Sequence, residues 1–545
     1  MKKLKSEKNI IPIILIVFCL LVILCNSAYY VSKKSGFFLD ETCTFLFANS
    51  DILKLKDIPD ILNDKPVDFV INRKDTWISQ DEIPDVFSTV NTGKFNYLDI
   101  YMWQLTDVHP PLYGAVINTF SSLLPMLDIK WIGFIVNTVF LLSTCILIYR
   151  ICLLLLGQKN VIAALAAVLY YGLSLEYVNT ATFYRMYAML AFWFILLLYA
   201  TLRWADDGYA YTKKHIICQC SIVFCAMLTQ YFAVFYIFTL FLLNLIFMRR
   251  QKINVARYLK YLIITGVLYL AIWPESISQV LFTNRGQDVQ SNLADPMVFS
   301  RIKSYIHTLL FSLFSGIKIY MMLFLIIAMG WLVYTVVKYV HNHKKTTCMD
   351  NSTEMRSLIY LILPAVVYYA IISVIAPWVV DRYQTPVMPL FSMIIIVILF
   401  KMSSLVIKQP RICGSLLIAL ALFLCFQWKN NLTPYYLYND PQRQEFIANN
   451  QGFNAMIIDP EGVDYISDVV LNFPHPFYCM VEYGSDTEAK VADALDQYGN
   501  LVIYLSRECD EDLITNLQDK GILCEKQECS SEEFYSIYQC RIGAR

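Results

Sequence analysis

Charge is scarce in this 545-residue chain: 16% of residues are Asp, Glu, Lys or Arg, 57% are apolar, and the mean hydropathy is +0.49. Soluble domains carry about 25% charged and about 45–50% apolar residues, so the polar surface that would cover a water-soluble fold is missing. The implied setting is a lipid bilayer. Net charge is missing too, with 44 Lys+Arg against 44 Asp+Glu, which removes any composition-level argument for nucleic acid as a partner. There is no Cys-x-x-Cys pair and no Cys/His cluster with zinc spacing; His341 and His343 beside Lys344 and Lys345 read as a solvated basic end. Internal repeats and low-complexity linkers are also absent. The 16 cysteines do not form a disulfide-rich pattern, because most lie in apolar runs, where a free thiol packs as a small hydrophobe. Five (Cys479, Cys509, Cys524, Cys529 and Cys540) fall in the polar C-terminal part, and the last three could pair in an oxidising compartment.

Long apolar runs are what the chain has in abundance. About 20 apolar residues cross the hydrocarbon core as a helix. Runs of this kind fall at 11–31, 131–155, 161–178, 186–202, 216–248, 258–274, 317–338, 357–376, 384–401 and 412–427. The fifth is long enough for two short passes turning at Gln230-Tyr231, so about 11 crossings are expected. The first run follows Lys2, Lys3, Lys5 and Lys8; its length and the poor small-x-small match near Ala28 favour an anchor over a cleaved signal peptide. With the N-terminus inside, the inner face collects 21 Lys and Arg against five acids, and the acidic excess falls outside. The same bias decides residues 112–127. As a full crossing they would invert everything that follows, so they are expected to form a juxtamembrane or re-entrant helix on the outer face, with Pro110 and Pro111 suited to its first turn.

The expected organisation is an anchor over 1–31, a first extracytoplasmic loop over 32–130, a multi-spanning core over 131–428 and a C-terminal extracytoplasmic domain over 429–545. An outer loop at 275–316 carries an amphipathic stretch at 297–313. The C-terminal part alternates apolar runs at 455–459 and 501–505 with helical patterns at 487–498 and 509–520, and reads as a small α/β module. The fold class is thus an all-α polytopic membrane protein with a small C-terminal α/β domain.

Four short stretches carry the polar chemistry, and all fall on the expected outer side. Asp40-Glu41 follows the first crossing, where a carboxylate held near the bilayer surface can act as a general base; a solvated loop end is the plain alternative. In Asp107-Val108-His109-Pro110-Pro111-Leu112-Tyr113 the prolines restrict the backbone around His109 and present its imidazole at the mouth of a helix. Tyr184-Arg185-Met186-Tyr187 and Asp381-Arg382-Tyr383-Gln384-Thr385-Pro386 each place an arginine beside a tyrosine at the outer end of a crossing. Either alone could anchor a helix. Two on the same side as an acid pair and a histidine point to a phosphate site, because the guanidinium fork matches phosphate oxygens.

Together these residues resemble the GT-C membrane glycosyltransferases, in the branch of the protein O-mannosyltransferases and the bacterial aminoarabinose lipid A transferases (glycosyltransferase family 39 type). The resemblance spans roughly residues 10–430, and His109-Pro-Pro-Leu-Tyr113 is its most specific piece. It implies a GT-C fold and transfer of a sugar from a polyprenyl-phosphate donor to an extracytoplasmic acceptor, with inversion at the anomeric carbon, in a bacterial plasma membrane. It further implies that Asp40 is the base, with Glu41 its neighbour, that Arg185 and Arg382 hold the lipid phosphate, and that His109, Tyr113, Tyr187 and Tyr383 shape the pocket. Two positions depart from the pattern: Phe183 stands where many relatives have an acid, with Glu176 the nearest substitute, and Lys130 stands near a frequent arginine. An Asp-Glu pair can ligate Mg²⁺ or Mn²⁺; the branch resembled does not clearly need one, and no metal ligand is assigned. The other classes weighed are a transporter or flippase of lipid-linked sugars, disfavoured because mid-membrane positions are nearly free of charge, and a catalytically silent assembly protein.

Overall fold

The computed structural model describes residues 10–49, 74–82, 87–90, 93–293, 297–343, 349–460, 466–527 and 534–542. The N-terminal lysines, Lys344, Lys345 and Cys529 lie outside the described residues. The chain divides into two compact units. The first comprises residues 1–31, 107–113 and 134–434, and the second comprises 32–106, 114–133 and 435–545.

The first unit is helical, and the protein is an integral, multi-pass membrane protein. Among the described residues nine helices are long and apolar enough to cross a bilayer. They are α1 (Ile10–Lys33), α5 (Ile129–Leu156), α8 (Tyr187–Asp206), α10 (Ala233–Arg250), α11 (Val255–Ile272), α15 (Lys318–His343), α16 (Met349–Ile375), α17 (Met388–Val406) and α18 (Pro410–Asn431). The run expected at 161–178 is two helices, α6 (Val161–Gly172) and α7 (Leu175–Thr182), bent by 55°. Ser174 causes the restart: it adopts an extended backbone, and its hydroxyl accepts from the Tyr177 amide at 3.1 Å as an N-cap. The remaining expected pass is α9 (Lys213–Met227), only 15 residues long, separated from α10 by a turn at 228–232 that contains Gln230-Tyr231.

Small residues set the tightest helix contacts, as expected where lipid gives no hydrophobic drive between helices. A Cβ on Gly414 of α18 would stand 2.9 Å from the backbone nitrogen of Ala163 on α6, and one on Gly172 would collide with Ile23 of α1. The Trp428 indole of α18 donates to the Leu173 carbonyl at 2.8 Å, satisfying backbone that the bend leaves open. Three further helices, α12 (Ser276–Leu281), α13 (Asn284–Leu293) and α14 (Val298–Phe314), lie in the loop after α11, and α14 realises the amphipathic stretch.

The second unit contains α2 (Leu39–Asn49), α3 (Tyr97–Thr106), most of α4 (Leu112–Leu123) and the C-terminal domain. The domain's strands are β2 (Asn454–Asp459), β3 (Phe477–Glu482), β4 (Asn500–Ser506), β5 (Ile522–Gln527) and β6 (Tyr535–Ile542), with helices α19 (Pro441–Asn450), α20 (Ile466–Asn472), α21 (Thr487–Tyr498) and α22 (Asp512–Asp519). Its sheet is not confined to residues after 429. The short strand β1 (Trp77–Ser79) of the first loop pairs antiparallel with β3, Trp77 opposite Cys479, giving the order β1-β3-β2-β4-β6-β5. Strands β2, β3 and β4 run parallel, and their apolar runs are almost wholly buried, as a parallel core requires. Arg443 of α19 ties the domain to the start of the first loop. Its guanidinium donates to the carbonyls of Tyr438 (2.9 Å), Ser35 (3.1 Å) and Asn472 (2.6 Å), and it lies against Gly36, where no Cβ would fit. Cys524 and Cys540 face one another across β5 and β6 as free, buried thiols.

Candidate active site

In the first unit the histidine motif and the first arginine motif meet. The His109 Nδ1 lies 2.9 Å from Asp107 Oδ2, and Arg185 Nη2 lies 3.2 Å from His109 Nε2. The imidazole thus bridges the Asp107 carboxylate and the Arg185 guanidinium through its two ring nitrogens. Burial opposes ionisation of Asp107, but His109 and Arg185 outweigh it and hold the carboxyl down at about 2. Asp107 is therefore anionic at neutral pH and fixes the imidazole, which in turn fixes Arg185.

The second arginine motif joins through aromatic rings. The Tyr187 and Tyr383 rings meet edge to face with centroids 6.3 Å apart, and Phe183 stacks on Tyr187 at 6.0 Å. The Arg382 guanidinium lies 5.9 Å from the Phe183 ring, 5.6 Å from Trp378 and 5.8 Å from Tyr383. Arg185 and Arg382 are both only 7% exposed, so neither is a loosely solvated surface charge. Phe183, which replaces an acid of the resembled pattern, thus forms an aromatic face for Arg382.

Three residues that the sequence reading did not single out for these roles position the motifs. Asn137 of α5 accepts from the Tyr113 hydroxyl at 3.1 Å and donates to the carbonyls of Thr180 (3.0 Å) and Phe183 (2.7 Å). Tyr113, expected to shape the pocket, is buried and acts here as a link between the histidine motif and the segment leading into Arg185. Gln384 donates to the Tyr369 carbonyl (3.1 Å) and the Ser373 hydroxyl (3.0 Å), clamping the Arg382 turn to α16. Glu176 accepts from Thr385 and Ser312 instead of substituting for the acid missing at 183. An Asn amid the apolar residues of α5 was the one available signal, since a polar amide in a membrane helix needs partners.

The acid pair belongs to the second unit, in the first turn of α2, a favourable place for negative charge. Glu41 is fully buried; its Oε2 accepts from Lys34 Nζ at 3.0 Å and from the Phe38 amide at 2.7 Å. Lys34 also donates to the Tyr436 carbonyl at 2.7 Å. Burial pulls the Lys34 pKa down, and Glu41 resists that pull. Glu41 therefore braces the start of α2, while Asp40 beside it is half-buried. Among the described residues no group of three His, Cys, Asp or Glu side chains is arranged to hold a metal ion.

The broken-helix bundle of the first unit and the small sheet domain of the second are together a fold also seen in solved structures of ArnT. Along nearly its whole length the chain is similar to ArnT from Cupriavidus metallidurans. Against the structure bound to undecaprenyl phosphate the TM-score is 0.54 with 11% identity, covering 97% of this chain and 98% of that one. Against the apo state it is 0.52 with 11% identity, covering 98% and 99%. At this identity the likeness is one of fold. No family model and no curated protein matches the chain.

Proposed function

We propose that this protein is a glycosyltransferase that moves a sugar from a polyprenyl-phosphate donor to an extracytoplasmic acceptor in a bacterial plasma membrane, its N-terminus facing the cytoplasm. The observation that carries the reading is the pair of buried, oriented arginines, Arg185 on His109 and Arg382 among aromatic rings, in a chain with the fold of a protein solved with undecaprenyl phosphate. As the bond between the anomeric carbon and the phosphate oxygen breaks, negative charge grows on the leaving polyprenyl phosphate. Preorganised cations stabilise that state more than the ground state. Asp40 is the base: it takes the proton of the acceptor hydroxyl as its oxygen forms the new bond to the opposite face of the anomeric carbon, which inverts the centre. His109, Tyr187 and Tyr383 line the phosphate side, Tyr113 holds the segment that presents it, and Glu41 braces the turn that carries Asp40.

The test is turnover of purified full-length protein with polyprenyl-phosphate sugars. Asp40→Asn should abolish transfer while leaving donor binding intact, and Arg382→Ala should weaken donor affinity. Full turnover by Asp40→Asn would remove it as the base.

A further inference from the structure

Cys524 of β5 and Cys540 of β6 are directly opposite one another in the antiparallel ladder. Both side chains point into the apolar core of the C-terminal domain, and their sulfurs are close enough to hydrogen-bond to each other. Opposed residues of an antiparallel pair have Cα atoms about 4.5 or 5.5 Å apart, depending on whether the pair is hydrogen-bonded. A disulfide spans Cα separations of about 4.4–6.8 Å, so either kind of pair can be bridged without moving the backbone. The other two cysteines of this core offer no such register. Cys479 stands opposite Trp77 on one side and Met456 on the other, and the Cys509 thiol donates to the Ile458 carbonyl at 3.8 Å.

The place in the sheet gives a bond here a mechanical consequence. In the order β1-β3-β2-β4-β6-β5, strand β5 is an edge held by β6 alone, and edges open more readily than central strands. A bridge from Cys524 to Cys540 closes the loop over residues 525–539 and takes chain freedom from the unfolded state.

We propose that Cys524 and Cys540 form a disulfide that staples the edge strand β5 to the sheet when the domain meets an oxidising compartment. The pairing stands on the register; only the oxidising surroundings rest on the extracytoplasmic placement of the domain. Cys524 is the entry point, being on the edge and 9% exposed where Cys540 is fully buried. The hydrogen bond from the Cys540 thiol pulls the Cys524 pKa below the ordinary thiol value, against the opposing pull of burial. The Cys524 thiolate attacks one sulfur of an external disulfide, that of a thiol–disulfide oxidoreductase or of oxidised glutathione, and expels one thiolate. Cys540 then loses its proton and attacks the Cys524 sulfur of the mixed disulfide, expelling the second. Two protein thiols are oxidised and one external disulfide is reduced to two thiols.

The test holds full-length protein, purified in detergent with its thiols reduced, in a buffer of reduced and oxidised glutathione. The sample is then blocked with N-ethylmaleimide and digested with trypsin and chymotrypsin. Cleavage after Lys526 and Tyr538 puts Cys524, Cys529 and Cys540 on three separate peptides, so each pairing has its own mass. Peptide 521–526 should be linked to peptide 539–541 in nearly all molecules, and Cys529→Ser should leave that link intact. Reductant should lower the melting temperature of the linked protein by on the order of 10 °C, and C524S/C540S should be indifferent to it. Blocked, unlinked thiols at 524 and 540, or a link from either to Cys529, would overturn the pairing. A linked protein that melts at the same temperature with and without reductant would overturn the staple. The same digest of cells blocked before lysis reads the compartment separately: a link that forms in buffer but not in cells would overturn the outward placement and leave the pairing supported.

Discussion

Thr385 donates its hydroxyl to Glu176 Oε1 at 2.6 Å across 209 positions of sequence, while Ser312 donates to Oε2 of the same carboxylate at 2.9 Å. One buried side chain at the bend between α6 and α7 thereby holds the turn after Arg382 and the end of α14. Glu176→Ala would leave two buried hydroxyls without an acceptor, at about 1–3 kcal/mol each. The expected result is a lower melting temperature in detergent and a donor KM raised about tenfold. Glu176→Gln keeps a carbonyl acceptor at the same place, and the Ser312 hydroxyl can turn to accept from its amide, so it should recover most of both. Wild-type stability and KM in the alanine variant would show that the link is idle.

Phe183 carries a second prediction. Its ring lies beneath the Arg382 guanidinium and stacks on Tyr187, coupling the two arginine motifs. Phe183→Leu preserves apolar volume but removes the π face, worth about 0.5–2 kcal/mol. Donor affinity should fall about 2- to 30-fold, with kcat less affected, as titration with a polyprenyl phosphate would show. An unchanged affinity would mean that Trp378 and Tyr383 suffice to hold Arg382.

The parts of this architecture that were legible in the sequence are those fixed by local solvation. Apolar runs located the crossings, the turn at Gln230-Tyr231 falls between α9 and α10, and the stretch at 297–313 is the helix Val298–Phe314. The runs at 455–459 and 501–505 are strands, because an apolar run between turn signals has the same local signature wherever it pairs. What escaped depends on contacts distant in sequence. Strand β1 is three residues long and has no meaning without β3. The run at 161–178 reports apolarity but not the Ser174 cap that breaks it. Glu41 and Glu176 both read as acids open to chemistry, and only the structure reveals Lys34 against one and two hydroxyls against the other.

Asn137 gives a third prediction, on geometry rather than charge. Its amide joins Tyr113 to the carbonyls of Thr180 and Phe183, so it fixes the segment that presents Arg185. Asn137→Ala should lower kcat/KM more than Tyr113→Phe does, because the phenylalanine variant deletes one bond of about 1 kcal/mol, whereas the alanine variant releases both sides of the link. Equal, small effects on kcat/KM would show that the segment is held by its packing alone.

The last prediction concerns the second unit, through His475. Its Nδ1 lies 2.8 Å from the Phe453 carbonyl and its Nε2 lies 2.7 Å from the Tyr504 hydroxyl, with the ring almost wholly buried. Burial pulls its pKa down to about 4, against partial resistance from hydrogen bonds to the backbone. A base depressed in the folded state stays neutral there, while the unfolded chain takes up a proton below about 6.5. Its contribution to stability is therefore undiminished above that value and declines as pH falls from about 6.5 towards 4, by at most on the order of 3 kcal/mol. Below about 4 both states are protonated, and this group adds no further change. Thermal unfolding followed by the near-ultraviolet signal of the tyrosine-rich sheet should show this loss between pH 6.5 and 4 in wild type. His475→Gln cannot take up the proton, so it should start less stable but show a flatter profile across the same interval. An equally steep decline in the glutamine variant would transfer the effect to the carboxylates of the unit.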